Sequence, residues 1–343
     1  MDITKKQYWK RVPHKEGIRF DFYLWGMVNV EDRRTLAVID IGSNSIKLLI
    51  AILQGEELVS LDERIEITRL SEGLAKEGLL LPEPMRRTIE GVERFVWVAR
   101  EAGVSQIVVI GTMAFRSASN SSSFVETLLD RTGVSMKILS GDEESEFAFR
   151  GALSGIWEDK YLSQNVTVFD IGGGSTELVQ GKGGNIIHRW SLPIGSVVLT
   201  EKFLQKTPVS SEYVHKVRLE IRKILSNRWD FLSQVGTLVG VGGTVTAMVA
   251  VKLGLYSYTP ESVHGISLSL GEIKRQIFLY SSKTLEERCL IPGLSPGRAD
   301  IILAGACIVA EILNIAREEK FVVSHRGLRH GVALHILQGG HFS

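Results

Sequence analysis

From residue 34 onward, the order of apolar and polar residues predicts a chain in which strands and helices alternate. Short apolar runs typical of buried strands occur at residues 36–39, 46–52, 107–110 and 134–139. Apolar residues spaced three or four positions apart predict helices over residues 82–102, 122–132 and 142–157, and the first of these begins with a proline. This alternation places the chain in the α/β class.

One strand–turn–strand unit occurs twice. Residues 36–49 (LAVIDIGSNSIKLL) align without a gap on residues 166–179 (VTVFDIGGGSTELV). In this alignment Asp40 matches Asp170, and the first glycine and the last serine of the two turns also coincide. Two copies that each open an α/β stretch indicate duplicated domains. We therefore expect two similar lobes, with ligand binding in the cleft between them.

The sequence predicts three segments. Residues 1–33 mix basic and aromatic residues without a period, and we interpret them as an N-terminal extension that is disordered or loosely docked. The first lobe is predicted over residues 34–146 and the second over residues 147–325.

Composition and charge exclude several classes of protein. The chain has 343 residues, of which 44% are hydrophobic and 23% charged, as in folded globular proteins. Forty basic and 39 acidic residues give a formal charge of +1, so no bulk charge points to nucleic acid or an anionic membrane. The uncharged run at 231–251 is broken by two glycines and favours strand–turn–helix over a membrane span. Cys289 and Cys307 are interpreted as free thiols of a cytoplasmic protein.

Each copy of the repeated unit places an aspartate at the end of a strand, directly before a turn rich in glycine and serine. Successive backbone amides in such turns can bind an anion, because glycine allows close approach. An aspartate beside a bound phosphate requires a cation between them, and Mg²⁺ fits that requirement. Either copy alone could be an ordinary β-turn, whereas two copies in register indicate a site. Residues 242–244 form a third turn of this kind, between a strand and a helix.

Several further residues have both a functional and an ordinary interpretation. Arg116, after a buried strand, either binds phosphate or lies on the surface at a helix start. The acidic run 142–146 is either a solvated helix N-terminus or the source of a glutamate that orients water. Lys47 either points into the cleft or covers its face of the sheet. Arg329 either meets a phosphate chain or caps a helix.

The histidines of the chain give little sign of a metal site. His325, His330 and His335 recur at intervals of five, which does not place them on one helical face. We therefore expect no metal ligation by them, and we interpret His264 as structural.

Taken together, these motifs resemble the Ppx/GppA family of exopolyphosphatases and guanosine pentaphosphate phosphohydrolases, within the actin-like ATPase superfamily. The resemblance extends from about Leu36 to about Ala333, and the length is similar to that of the short, two-domain members. The motifs that carry it lie at residues 40–45, 111–116, 140–144, 170–177, 240–244, 291–294 and 327–329. It implies two duplicated ribonuclease H-like (actin-like ATPase) domains with an inter-domain cleft, and a C-terminal segment, 326–343, that returns to the first. Family members usually have acids at the positions of His325 and His330.

The resemblance also implies roles for individual residues. Glu144 would be the catalytic base, with Arg116 as a second catalytic residue. Asp40, Asp170 and Glu177 would surround Mg²⁺, with Mn²⁺ as an alternative ion. The positions that would bind substrate phosphates are Gly42, Ser43, Asn44, Ser45, Lys47, Gly172, Gly173, Gly174, Ser175, Thr176, Gly242, Gly243, Thr244 and Arg329.

The expected activity is hydrolysis of a terminal phosphoanhydride, on inorganic polyphosphate, on guanosine pentaphosphate in the stringent response, or on both. The sequence leaves open which substrate is preferred. Two alternatives are an actin-like ATPase or small-molecule kinase, which the SGDEE segment at 140–144 disfavours, and a binding protein without activity. No nucleic-acid or membrane partner is expected, and the resemblance suggests a homodimer.

Overall fold

The computed structural model describes residues 34–154, 164–226, 235–256 and 259–342. The N-terminal extension predicted over residues 1–33 lies outside these ranges, as do the end of the helix predicted to residue 157 and the first residues of the uncharged run at 231. From Arg34 onward the chain forms one compact unit.

The first half of this unit is built on a five-stranded sheet with the order β3-β2-β1-β4-β5. Its strands are β1 (Leu36–Ile41), β2 (Ser45–Gln54), β3 (Glu57–Ile67), β4 (Gln106–Gly111) and β5 (Met136–Ile138). Its helices are α1 (Leu74–Glu77), α2 (Pro82–Glu101), α3 (Met113–Ser117) and α4 (Ser121–Thr132). The strands and helices predicted in this region are confirmed, with bounds that differ by at most a few residues.

The second half is built on a six-stranded sheet with the order β8-β7-β6-β9-β11-β10. Its strands are β6 (Asn165–Ile171), β7 (Thr176–Lys182), β8 (Asn185–Leu192), β9 (Thr237–Val241), β10 (Ser267–Ser269) and β11 (Lys320–Val323). The helices are α5 (Gly141–Leu153), α6 (Ser196–Phe203), α7 (Ser211–Ser226), α8 (Gly243–Leu253), α9 (Pro260–Val263), α10 (Leu270–Ser281), α11 (Leu285–Cys289), α12 (Ile302–Ala316) and α13 (Leu328–Leu337).

The two sheets share one arrangement around the repeated unit. In each, the first strand pairs antiparallel with the second and parallel with a strand that follows a helix. The turn of each hairpin closes with the same backbone hydrogen bond, from Gly42 to Ser45 over 3.0 Å and from Gly172 to Ser175 over 2.9 Å. The predicted α/β fold of two duplicated actin-like lobes is confirmed.

Both faces of the first sheet are covered by apolar side chains. One face packs on α2, α3 and α4, with Phe95 and Phe124 in that layer. The other face packs on α13, and Val332 is buried there against Val38 and Leu49. In the second lobe, α12 is buried along almost its whole length, because it lies among α6, α7, α8 and α10.

Helix α5 joins the two lobes through its apolar side chains. Phe147 belongs to the apolar cluster on the first sheet, whereas Phe149 and Leu153 pack on the second sheet. The helix begins with a capping box, in which the Ser140 side chain accepts a hydrogen bond from the Glu143 amide and the Glu143 carboxylate accepts one from the Ser140 amide. This fixes the first turn of α5, which faces the cleft. The lobe boundary predicted at residue 146 falls inside this helix and stays a prediction.

Helix α13 crosses α5 with no space between the two backbones. A Cβ atom at Gly151 would lie 2.0 Å from the Gly327 carbonyl oxygen, and one at Gly331 would lie 1.8 Å from the Phe147 carbonyl oxygen. Since neither clash can be relieved by moving a side chain, these two positions require glycine. The C-terminal helix is thereby held against α5 and against strands β1 and β2 of the first sheet.

In the described part of the chain, no helix is both long enough and apolar enough to cross a bilayer. Cys289 and Cys307 are free thiols, as expected.

Candidate active site

The glycine turns of the two lobes meet at a cleft. Its lining includes both hairpin turns, the turn before α8 and the start of α5. Four carboxylates from the two lobes face this space, namely Asp40, Glu144, Asp170 and Glu177. The predicted residues in the lining are, besides these four, Gly42, Ser43, Asn44, Ser45, Lys47, Gly172, Gly173, Gly174, Ser175, Gly242 and Gly243.

The hairpin of the first lobe presents an ion pair to the cleft. Asp40 on β1 lies opposite Lys47 on β2 in the strand register. The Lys47 ammonium group lies 3.2 Å from Oδ2 of Asp40 and donates a hydrogen bond to it. Of its two sequence interpretations, Lys47 therefore takes the one in which it faces the cleft.

The equivalent positions of the second lobe hold two carboxylates. Asp170 on β6 lies opposite Glu177 on β7, and Ser191 donates a hydrogen bond of 2.8 Å to Oε1 of Glu177. Burial raises the pKa of Asp170, although the Lys47 charge opposes this. Burial also raises the pKa of Glu177 well above its usual value, and the charges of Glu144 and Asp170 add to the effect. These two carboxylates are thus shielded from water, and the positive charge near them is too small to offset the effect of burial on their pKa values.

Glu144 comes from the first turn of α5 and points into the same space. Only 8% of the residue is exposed, and its Oε2 accepts a hydrogen bond of 2.8 Å from the Arg116 guanidinium. Burial, together with the charges of Asp170 and Asp40, raises the pKa of Glu144 to about 7, although Arg116 opposes this. A carboxyl group that titrates near neutral pH suits a general base.

The structure places four other predicted residues outside the described lining of the cleft. Arg116 lies behind Glu144, where it also donates to the Leu139 carbonyl over 2.8 Å. Arg329 pairs with Glu63 on β3. Thr176 is fully buried and donates to a backbone carbonyl, and Thr244 is buried in α8.

The turns of the two lobes are in direct contact, which explains two of the glycines. A Cβ atom at Gly173 would lie 2.9 Å from the Cβ of Ser43, and one at Gly174 would lie 2.5 Å from the sulfur of Met113. The first-lobe turn has Ser43 and Asn44 at the equivalent positions. Glycine in the second turn therefore lets the two lobes approach each other across the cleft.

Some residues of the lining were not among the predicted site residues, although three of them, Thr112, Met113 and Leu328, lie in the motifs at 111–116 and 327–329. Thr112, Met113, Ser196, Arg298 and Leu328 all face the cleft. The guanidinium group of Arg298 lies so close to Gly243 that a Cβ there would be 2.1 Å from Nη2. Arg298 follows Pro296 and Gly297 in a short 3₁₀ turn, where no periodic pattern marks it. Arg298 lies four residues after the family motif at 291–294, and this nearness in sequence was the signal that could have indicated it.

The acidic residues of the cleft are of the donor type that a divalent cation prefers. Asp40, Asp170 and Glu177 offer oxygen donors only, which suits a hard ion such as Mg²⁺. The raised pKa values of Asp170 and Glu177 show that this group of carboxylates favours added positive charge. The glycine turns beside them leave backbone amides available to an anion.

Two actin-like lobes with glycine turns and acidic residues on both sides of a cleft define a class of phosphate-processing proteins. The chain matches the model of the Ppx/GppA phosphatase family over residues 38–339, and it belongs to this family. The resemblance inferred from the sequence motifs is thereby confirmed.

Two curated proteins and one crystal structure illustrate this relationship. Exopolyphosphatase 2 of Mycobacterium tuberculosis is 29% identical over 314 residues, which are 87% of this chain and 97% of that protein. A bifunctional 3-dehydroquinate synthase/phosphatase of Fusobacterium nucleatum is 32% identical over 298 residues, 84% of this chain. The chain spans only 44% of that relative's length. The Aquifex aeolicus member of the Ppx/GppA family superposes with a TM-score of 0.74 at 31% identity, covering 90% of this chain and all of that one.

Proposed function

We propose that the protein hydrolyses the terminal phosphoanhydride bond of inorganic polyphosphate, of guanosine pentaphosphate, or of both. The observation that carries this proposal is the position of Glu144, a buried carboxyl group with a pKa of about 7 beside the glycine turns of both lobes. Membership of a phosphatase family supports it, as does the similarity to a protein named an exopolyphosphatase.

The substrate phosphates would be held by backbone amides of the turns at 42–45, 172–175 and 242–243. Lys47 and Arg298 line the same space and add positive charge. Together they would position the terminal phosphorus and stabilise the charge on its equatorial oxygens. Such positioning and charge stabilisation supply most of the catalysis in phosphoryl transfer.

Glu144 would act on the attacking water. Its carboxylate accepts the proton as the water oxygen bonds to phosphorus, while the phosphate chain departs on the opposite side. Arg116 holds one carboxylate oxygen of Glu144 and so fixes the direction of the other. We assign Arg116 to positioning Glu144 instead of to direct phosphate contact.

Asp40, Asp170 and Glu177 would hold Mg²⁺ or Mn²⁺. When bound, this ion would neutralise phosphate oxygens that the surrounding carboxylates would otherwise repel. Lys47 shares Asp40 with that site and balances its charge on the first-lobe side.

The test is phosphate release from polyphosphate, guanosine pentaphosphate and ATP, each measured with Mg²⁺ and with a chelator. We expect release from one or both of the first two, and only with the metal. Glu144→Gln should lose this activity, while Glu146→Gln, which changes a half-buried residue on the same helix that pairs with Arg150 outside the cleft lining, should keep it. Transfer of phosphate from ATP to an acceptor would indicate a kinase instead. Binding of polyphosphate without release would indicate a binding protein.

A further inference from the structure

A second group of potential ligands lies outside the cleft described above. Glu63 on β3, His325 after β11 and His330 in α13 each present one ligand atom, and these atoms all lie within 4.8 Å of one another. The five-residue spacing of the histidines argued against a shared site. The fold changes this conclusion, because a carboxylate from a strand about 260 residues earlier completes the group.

The separation of the two nearest donors suits a tetrahedral metal ion. Oε1 of Glu63 and Nε2 of His330 are 3.3 Å apart. An ion about 2.1 Å from each atom, the usual distance for zinc, would see them at an angle of about 105°, close to tetrahedral. The ligand atom of His325 lies within 4.8 Å of both donor atoms.

The Nδ1 atom of His330 accepts a hydrogen bond of 3.3 Å from the Gly327 amide, so its Nε2 carries the proton that faces Glu63, and a metal ion at Nε2 would take the place of that proton. Burial lowers the pKa of His330 to about 4 and that of His325 to about 3, so both imidazoles are neutral at pH 7. Burial would raise the pKa of Glu63, but contact with His330 and the charge of Arg329 outweigh it and hold that pKa well below its usual range. Among the described residues, the buried Nδ1 of His325 has no hydrogen-bond partner.

The surrounding charges select for one type of ion. Arg329 binds the other oxygen of Glu63, and Arg326 lies close by, with its guanidinium bonded to the Ser154 and Leu58 carbonyls. Two guanidinium groups weaken purely electrostatic binding of a cation. Imidazole bonds strongly to transition metals, whereas Mg²⁺ and Ca²⁺ depend on oxygen ligands and charge.

We propose that Glu63, His325 and His330 bind a first-row transition-metal dication such as Zn²⁺, at a site separate from the acidic cleft. The ion would connect β3 of the first lobe to the segment between β11 and α13. Leu328, the first residue of α13, follows that segment directly and lines the cleft. His264, whose ring centre lies 4.9 Å from that of His325, is placed beside the set as a third imidazole.

The test uses the full chain, stripped of metal and then held in millimolar Mg²⁺ so that the acidic cleft is occupied. Titration with Zn²⁺ against a chromogenic chelator should show one equivalent bound with a micromolar or lower Kd. Co²⁺ in place of Zn²⁺ should give the intense visible bands of a four-coordinate ion. His325→Ala should weaken Zn²⁺ binding by at least about tenfold, within the range reported for loss of residues around metal sites. His335→Ala, on α13 but outside the set, should leave it unchanged.

Two results would overturn the proposal. One is Zn²⁺ affinity that is the same in the wild type, His325→Ala and Glu63→Gln. The other is a weak Co²⁺ spectrum typical of a six-coordinate ion in the wild type. This second result needs no variant, so it tests the proposal even if a variant fails to fold. Neither result bears on phosphate release, so the proposed function is tested separately.

Discussion

The hairpins of the two lobes have the same backbone and opposite charge patterns. In the first, Asp40 faces Lys47, and the pair is neutral. In the second, Asp170 faces Glu177, and both are buried carboxylates with raised pKa values. The two copies thus share the glycine turn, while the residue that faces the aspartate is a cation in the first and an anion in the second. The carboxylates that a bound cation would stabilise most therefore lie in the second lobe.

The largest expected effect is that of replacing Glu144, which lies on α5 and not on either hairpin. Glu144→Gln should lower kcat for phosphate release by about 10²–10⁴-fold, because it removes the general base. Substrate binding, measured by calorimetry, should change little, since the phosphate-binding turns are intact. Near-normal phosphate release by this variant would show that the hairpins alone activate the water.

A matched pair of substitutions compares the two hairpins directly. Glu177→Gln should raise the Mg²⁺ concentration needed for half-maximal activity by about 10- to 100-fold, because it replaces a charged carboxylate ligand by a neutral amide. Lys47→Gln should instead raise KM for the phosphate substrate by about tenfold, since one phosphate-binding charge is worth about 1.4 kcal/mol. Both are measured by varying Mg²⁺ and substrate independently. If the two variants changed the same parameter, the proposed division between the hairpins would be wrong.

The two turns differ in how much space they leave for a side chain. Gly173→Ala should lower kcat/KM by about 10- to 100-fold, because the new Cβ would meet Ser43 and displace reacting groups between the lobes. Ser43→Gly, the reciprocal change in the first lobe, removes atoms from the same contact and should cost much less. Steady-state kinetics of the two variants distinguish these outcomes. Equal losses would show that contact between the turns is not what positions the substrate.

The smallest effect is one on stability. In chelator, Glu177→Gln should raise the melting temperature by about 2 °C, because it removes a buried carboxylate that other carboxylates repel. Asp40→Asn should give no such rise, since it leaves Lys47 without its partner. Scanning calorimetry in chelator and in Mg²⁺ tests this, and the advantage of Glu177→Gln should vanish when the metal is present. A lower melting temperature for Glu177→Gln in chelator would contradict the charge pattern described here.

The sequence predicted the repeated unit well because its information is local. The alignment of residues 36–49 on 166–179 correctly placed both hairpins, and Lys47 and Glu177 fell in register with the aspartates. The duplication of the lobes followed from the same repetition, and their actin-like fold from the family resemblance. Local sequence also indicated that α5 would start with acidic residues, which its capping box and Glu144 bear out.

Contacts between distant segments were harder to predict. Residue type left two interpretations open for Arg116 and Arg329, and the family resemblance implied phosphate binding. Each lies instead against a carboxylate, Glu144 and Glu63 respectively. Neither carboxylate is a neighbour in sequence, so no spacing pattern could have shown the pairing. Arg298 also lines the cleft, and it was not predicted because its contact there joins segments that are distant in sequence. The roles of all these residues in binding stay predictions.

The crossing of α5 and α13 makes the reactive carboxylate sensitive to a distant contact. Gly151 lies seven residues from Glu144, about 10 Å along the helix. If a side chain at Gly151 tilted α5 by about 5°, leverage over that length would carry the Glu144 carboxyl nearly 1 Å out of line, enough to cost about 10²-fold in rate. A substitution far from the cleft can therefore abolish activity although no residue of the cleft is replaced.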